Sequence, residues 1–185
     1  RVVQTFVIHY AVKEMESLTQ TYLDQMSDGG MRLELSLDAG DKIIRRAFVV
    51  GSDGLFKERP LSTLSGGQWR RCSVALTFGF AELVARKGRL RSSICVLDEP
   101  LTHLDRLGRD KFGDVVRGMI RRNQDGNSSV GTPSSDQNRL SGLGMSTIIM
   151  ILQDLSAEEL EEAFDCIDTV VKEEGTSSVL IDSER

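Results

Sequence analysis

The sequence predicts an α/β fold: a parallel central sheet with flanking helices, preceded by an N-terminal hairpin. Three observations carry this. Residues 2 to about 27 carry apolar side chains three to five apart, and 66 to about 86 and 105 to 122 also suit helices. Residues 31–37 alternate Leu33, Leu35 and Leu37 against Arg32, Glu34 and Ser36, the period of a half-buried strand. Residues 93–97 and 147–152 are short apolar runs of the kind found in strands buried on both faces of a parallel sheet.

In chain order, Val3, Val7, Tyr10, Met15, Leu18, Tyr22 and Met26 give the first segment one apolar face, and Asp28-Gly29-Gly30 supplies the stop. Some 26 residues of helix span roughly 40 Å. The stretch reads equally as an amphipathic helix packed on the domain or as the root of a coiled coil over 1–28 that enters a globular region, 29–185. Asp38-Ala39-Gly40-Asp41 is a turn, and 42–50 is the second strand of the hairpin. Gly51-Ser52-Asp53-Gly54 is a loop. In the helix from Gly66, the side chains Val74, Leu76, Phe78, Phe80, Leu83 and Val84 form the apolar surface, with Gly88 as the stop. Residues 123–146 are rich in Ser, Gly and Asn and read as a flexible insertion. An acidic helix over 157–164 and strands at 169–171 and 178–181 complete the reading.

At 185 residues one compact domain is the default. The balance of 23 basic against 28 acidic side chains excludes a wholly basic nucleic-acid clamp, leaving room for a local basic face. The candidates are Arg86, Lys87, Arg89 and Arg91, and Arg117, Arg121 and Arg122; solvated helix ends would look the same. Cys72, Cys95 and Cys166 are scattered and lack C-x-x-C spacing, which points to small thiols in a reducing, intracellular compartment rather than disulfides or a metal centre. No apolar run reaches membrane-spanning length, so no membrane partner is expected. The chain starts at Arg1, as a piece of a longer polypeptide would.

Two stretches carry chemistry. Leu64-Ser65-Gly66-Gly67-Gln68 stands at a helix start, where backbone N–H groups are unpaired and the peptide dipoles present their positive end. Glycines let a phosphate approach that backbone, Ser65 adds a hydroxyl, and Gln68 can reach the same ligand or brace the loop. A Ser-Gly-Gly turn that merely caps a helix has the same local form, but the full string arises by chance in such a chain only about 10⁻⁴ of the time. Ile94-Cys95-Val96-Leu97-Asp98-Glu99-Pro100 then places two carboxylates at the carboxyl end of a buried strand, where open α/β sheets bind ligands. Asp98 is a candidate Mg²⁺ ligand and Glu99 a candidate for orienting an attacking water. No G-x-x-x-x-G-K-[ST] phosphate loop occurs anywhere in the sequence.

Leu64 to Gln68, Leu97-Asp98-Glu99-Pro100 and His103-Leu104-Asp105 together resemble the signature motif, Walker B motif and D-loop of ABC-type ATPases. Arg71 matches a basic position of the signature helix. With a long helix and a hairpin upstream where a transporter would carry its phosphate loop, the layout is similar to the structural-maintenance-of-chromosomes and DNA double-strand-break-repair class. It resembles the carboxyl-terminal half of such a P-loop NTPase head. The resemblance implies ATP and Mg²⁺ as ligands, Ser65, Gly66, Gly67 and Gln68 on the γ-phosphate of an opposing head, and Asp105 at the interface between heads. It implies as partners the amino-terminal ATPase lobe of the same polypeptide, a second head and DNA, in the nucleus or another DNA-containing compartment. That class often has a His after the strand following the D-loop; here Gln153 stands there, able to donate a hydrogen bond but never cationic. His103 in its polar loop reads as solvated. An ABC transporter or soluble ABC protein, and a head that dimerises with little hydrolysis, are the alternatives.

Overall fold

The computed structural model describes residues 2–40, 42–88, 94–125, 145–153, 164–173 and 176–181. Within them the elements run α1 (Val2–Ser27), β1 (Met31–Leu37), β2 (Ile43–Val50), β3 (Phe56–Arg59), a 3₁₀ turn (Leu61–Thr63), α2 (Gly66–Gly88), β4 (Ile94–Asp98), α3 (Arg106–Asp125), β5 (Thr147–Ile151), β6 (Asp168–Glu173) and β7 (Thr176–Ile181). The α/β class is as predicted. Of the acidic helix expected over 157–164 all but Phe164, which is not helical, and most of the 123–146 insertion lie outside the described residues.

Helix α1 stops where its sequence turns polar and small. Asp28 takes a left-handed φ of +51°, and the Gly29 N–H returns to the Asp24 carbonyl at 3.1 Å, a Schellman closure. The chain reverses into the antiparallel sheet β1-β2-β3. Strand β3 was not expected from the sequence: its four residues, Phe-Lys-Glu-Arg, are all exposed and show no strand period in burial. The free edge of β1 is covered by α1. Gln20 donates to the Met31 carbonyl at 2.9 Å and accepts from the Leu33 N–H at 3.1 Å, and Glu16 accepts from the Leu35 N–H. Side-chain amide and carboxylate thus substitute for a neighbouring strand, closing an edge that would otherwise recruit one.

The core lies where α1, α2 and α3 meet the inner face of β1. Rings from the three helices form a chain, Tyr22–Phe78 at 5.5 Å and Phe78–Phe112 at 6.1 Å between centroids. Glu82, fully buried, accepts from the Tyr22 hydroxyl at 2.7 Å and pairs with Arg86, so its charge is not left uncompensated. Helices α1 and α2 approach tightly at Gly79, where an added Cβ would lie 2.5 Å from Thr19 Oγ1, 2.7 Å from its N and 2.9 Å from its Cα. The buried half of α1 belongs to this core, whereas Phe6, Val7, Ile8 and Tyr10 near its start are exposed.

Strands β4 and β5 pair in parallel, Asp98 opposite Ile151. Their sequences predicted burial on both faces, and the structure corrects this. Cys95, Leu97, Ile148 and Met150 pack on the core. Ile94, Val96, Ile149 and Ile151 face away, 47–58% exposed, because no described element lies on that side. A parallel sheet with one bare aliphatic face is unusual, since such sheets are normally covered twice. Among the described residues no helix is long and apolar enough to cross a membrane.

Two outcomes are expected. Gly79→Ala must push α1 and α2 apart, since backbone and not a flexible tip blocks the new methyl; urea denaturation should show a loss of about 1–3 kcal/mol. Burial pushes the Cys72 thiol from 9.0 up to about 11. The folded state therefore favours the protonated form. That contribution is complete below pH 9.0 and is lost as pH rises through about 11. At pH near 8 a thiol reagent should modify exposed Cys166 promptly and reach buried Cys72 only after denaturant is added.

Candidate functional site

The first turn of α2 is held by a reciprocal cap. Gln68 N–H donates to Ser65 Oγ at 3.2 Å, and Ser65 N–H donates to Gln68 Oε1 at 3.1 Å. Trp69 N–H makes the first helical bond to the Ser65 carbonyl at 2.8 Å. Gly66 and Gly67 are left as the open N–H donors of the helix start, with Ser65 and Gly66 exposed. Of the two uses foreseen for Gln68, bracing the loop is the one the structure displays.

The glycines serve a purpose that the sequence did not reveal. A Cβ on Gly66 would lie 3.5 Å from His103 Cβ, and one on Gly67 would lie 3.2 Å from the His103 carbonyl oxygen. The missing side chain of Gly67 therefore eases the approach of the turn after β4, which folds against α2, while at Gly66 the contact would be an ordinary one. His103 itself adopts φ +67°, and its ring lies beside Gly66. The sequence reads it as solvated; it is exposed, and it also lies against the glycine pair.

That turn begins at the carboxyl end of β4. Asp98 is exposed at the strand end. Glu99 follows with φ +49°, a left-handed conformation that a side chain with a Cβ adopts at a cost of about 1–3 kcal/mol. Its N–H extends the β4–β5 ladder, donating to the Ile151 carbonyl at 2.9 Å. Its carboxylate is half used: Oε2 accepts from Thr102 Oγ1 at 3.1 Å, and Oε1 is buried with no partner. An acceptor withdrawn from water and left unsatisfied is costly and calls for an explanation. Gln153 lies exposed two residues past β5, at the same end of the sheet.

Two adjacent arginines tie the turn to α2. Arg70 Nε donates to the Pro100 carbonyl at 3.1 Å, and its Nη2 donates to the Glu99 carbonyl. Arg71 Nη2 pairs with Asp105 Oδ1 at 2.6 Å, and the same oxygen caps α3 by accepting from Gly108 N–H at 2.9 Å. Gly108 makes room for the pair: a Cβ there would lie 2.8 Å from Arg71 Nη2. Pro100, Leu101 and Leu104 anchor the turn in the core. Sequence reading singled out Arg71 and missed Arg70, Thr102 and Gly108. The available signal was spacing, since Gly66, Gly67, Arg70 and Arg71 recur at three and four residues and share one face of α2.

The structure thus unites Ser65, Gly66, Gly67, Gln68, Glu99 and Asp105 around one turn and places Asp98 and Gln153 at the adjoining sheet end. Of the basic clusters, the described side chains are each paired with a carboxylate. Arg86 pairs with Glu82, Lys87 with Glu14, and Arg117 with Asp114, while Arg89 and Arg91 and the side chains of Arg121 and Arg122 lie outside the description.

No family model and no curated protein matches the chain. Solved structures do. A structure from work on ATP-driven dimerisation and DNA-stimulated activation of SMC ATPases superposes with a TM-score of 0.67 at 15% identity, covering 97% of this chain and 89% of that one. An SMC head bound to the C-terminal winged-helix domain of ScpA gives 0.59 at 17%, covering 91% and 42%. The SMC head domain from Thermotoga maritima gives 0.52 at 16%, covering 98% and 52%. The chain therefore has the fold of SMC heads, spanning most of the first structure and about half or less of the other two.

The cap and pair at Asp105 make a separable prediction. Asp105→Ala should destabilise the chain by about 1–2 kcal/mol, whereas Asp105→Asn, which keeps the cap and loses the charge, should cost under half of that in urea denaturation. Equal losses would assign the stabilisation to the ion pair with Arg71.

Proposed function

We propose that this chain is the carboxyl-terminal lobe of an SMC-like ATPase head, a P-loop NTPase of ABC type, acting in ATP-driven chromosome maintenance or DNA repair. The observation that carries the reading is the unpartnered Glu99 Oε1 on a turn locked to a helix start with two open glycine N–H donors. ATP and Mg²⁺ fit these residues. The described residues contain no cluster of three or more metal-ligating side chains. A hard divalent cation that keeps its waters and phosphate ligands needs only one or two carboxylates, and Asp98 is one. Bound there, Mg²⁺ would neutralise charge on the phosphates.

In this reading Glu99 Oε1 accepts a hydrogen bond from the attacking water and orients it, while the Thr102 bond to Oε2 fixes the carboxylate plane. Gly66 and Gly67 N–H, with Ser65 Oγ, bind the γ-phosphate of the nucleotide carried by an opposing head. Gln153 serves as a neutral hydrogen-bond donor at the same end of the sheet. The amino-terminal lobe completes the sheet, covers the bare face of Ile94, Val96, Ile149 and Ile151 and brings the phosphate loop. The exposed start of α1, Phe6 to Tyr10, continues into a coiled coil. Nucleotide then holds two heads together and hydrolysis parts them. DNA as partner rests on the likeness to SMC heads and on no basic surface described above.

A head that dimerises with little turnover is the second reading, favoured by Gln153 where a cation would otherwise assist. The chain alone is expected neither to bind ATP tightly nor to hydrolyse it. Joined to its amino-terminal lobe it should hydrolyse ATP, and Glu99→Gln should accumulate a nucleotide-bound dimer visible by light scattering. Turnover by the isolated chain would overturn the composite site. Single-turnover hydrolysis absent from the complete head would select the second reading.

A further inference from the structure

We propose that Arg70 is a positioning residue for hydrolysis, holding Glu99 in its left-handed conformation. This rests on the reading of Glu99 given above. Arg70 touches no reacting atom. Its guanidinium spans two successive carbonyls, those of Glu99 and Pro100, while Glu99 N–H is pinned from the other side by Ile151. The peptide units flanking Glu99 are thus fixed from two elements, α2 and β5. Such over-determination is what a residue at φ +49° requires, since the extended or right-handed conformations are lower in energy for a residue with a Cβ. Released, Glu99 would relax, and the Thr102 contact alone would not hold Oε1 in place.

The placement of Arg70 adds a consequence. It lies on α2 three residues past Gly67 and shares a face with the glycine pair. The helix whose start would engage the phosphate of the opposing head is therefore the helix that holds the glutamate of its own head. A shift of α2 on engagement is passed by a rigid two-bond link to Glu99, so each head's hydrolytic carboxylate is set by the capture of its partner's nucleotide. Only an arginine offers this fork. A lysine ammonium on a flexible stem is a point donor that cannot span both carbonyls in fixed geometry.

The test uses the complete head, with its amino-terminal lobe, and Arg70→Ala and Arg70→Lys. A misplacement near 1 Å costs on the order of 10²-fold in rate, so kcat should fall about 10- to 100-fold in Arg70→Ala, with Arg70→Lys between it and wild type. KM for ATP should stay within about twofold, because the phosphate contacts are untouched. In a Glu99→Gln background, Arg70→Ala should still form the nucleotide-dependent dimer. An unchanged kcat in Arg70→Ala would overturn the proposal. So would loss of the dimer together with turnover in both variants, which would make Arg70 a support of the whole fold. If the wild-type complete head hydrolyses ATP but Glu99→Gln leaves turnover intact, it is the assignment of Glu99 that fails.

Discussion

Everything at the candidate site depends on the turn from Glu99 to Asp105 lying against the first two turns of α2. Three kinds of contact hold it there. Gly67 makes room for the His103 carbonyl, and the His103 ring packs beside Gly66. Arg70 grips the carbonyls of Glu99 and Pro100. Arg71 joins Asp105, which in turn caps α3. The hydrophobic anchors Leu101 and Leu104 supply the burial that offsets two residues in left-handed backbone. Remove the close approach and the strand end, the helix start and α3 lose their common reference.

Under the proposed function the glycine pair has two duties at once. A phosphate needs open amides at a helix start, and the turn needs the room a Cβ would occupy. The amides of Gly66 and Gly67 are not consumed by the cap, which uses Ser65 and Gln68, so the two duties do not compete. A Cβ at Gly67 would press on the His103 carbonyl oxygen at 3.2 Å, so that a larger residue there shifts the turn by a few tenths of an ångström, whereas one at Gly66 would make only ordinary contact with the His103 side chain. Loss of function on substitution of Gly67 would therefore not distinguish phosphate binding from turn packing, and a change at Ser65 would likewise remove the hydroxyl that accepts from Gln68 N–H and caps α2.

Much of the fold was legible because the chain's periodicities are clean. Leu33, Leu35 and Leu37 alternate, α1 repeats its apolar side chains every three to five residues, and Asp28-Gly29-Gly30 ends it as written. Strand β3 was not legible, since its charged, exposed residues pair through backbone alone with β2. The bare face of β4 and β5 was misjudged for a different reason: aliphatic content in Ile94, Val96, Ile149 and Ile151 reports that a face is meant to be covered, not by what. At the site, Ser65 to Gln68 and Asp98-Glu99 stood out as strings. The link between them did not, because Arg70 acts through backbone carbonyls thirty residues away, and no local pattern encodes that contact.

The central claim is that Ser65 to Gly67 of one head and Glu99 of the other act on one nucleotide. Mixing two inactive complete heads tests it most directly, one carrying Ser65→Arg and the other Glu99→Gln. Mixed dimers then contain one site with an intact Glu99 and an intact opposing Ser65, so ATPase activity should reappear on mixing although neither variant has any alone. If the mixture stays as inactive as its components although the mixed dimer forms, the glycine motif and Glu99 serve the same head, and the account of a shared site is wrong.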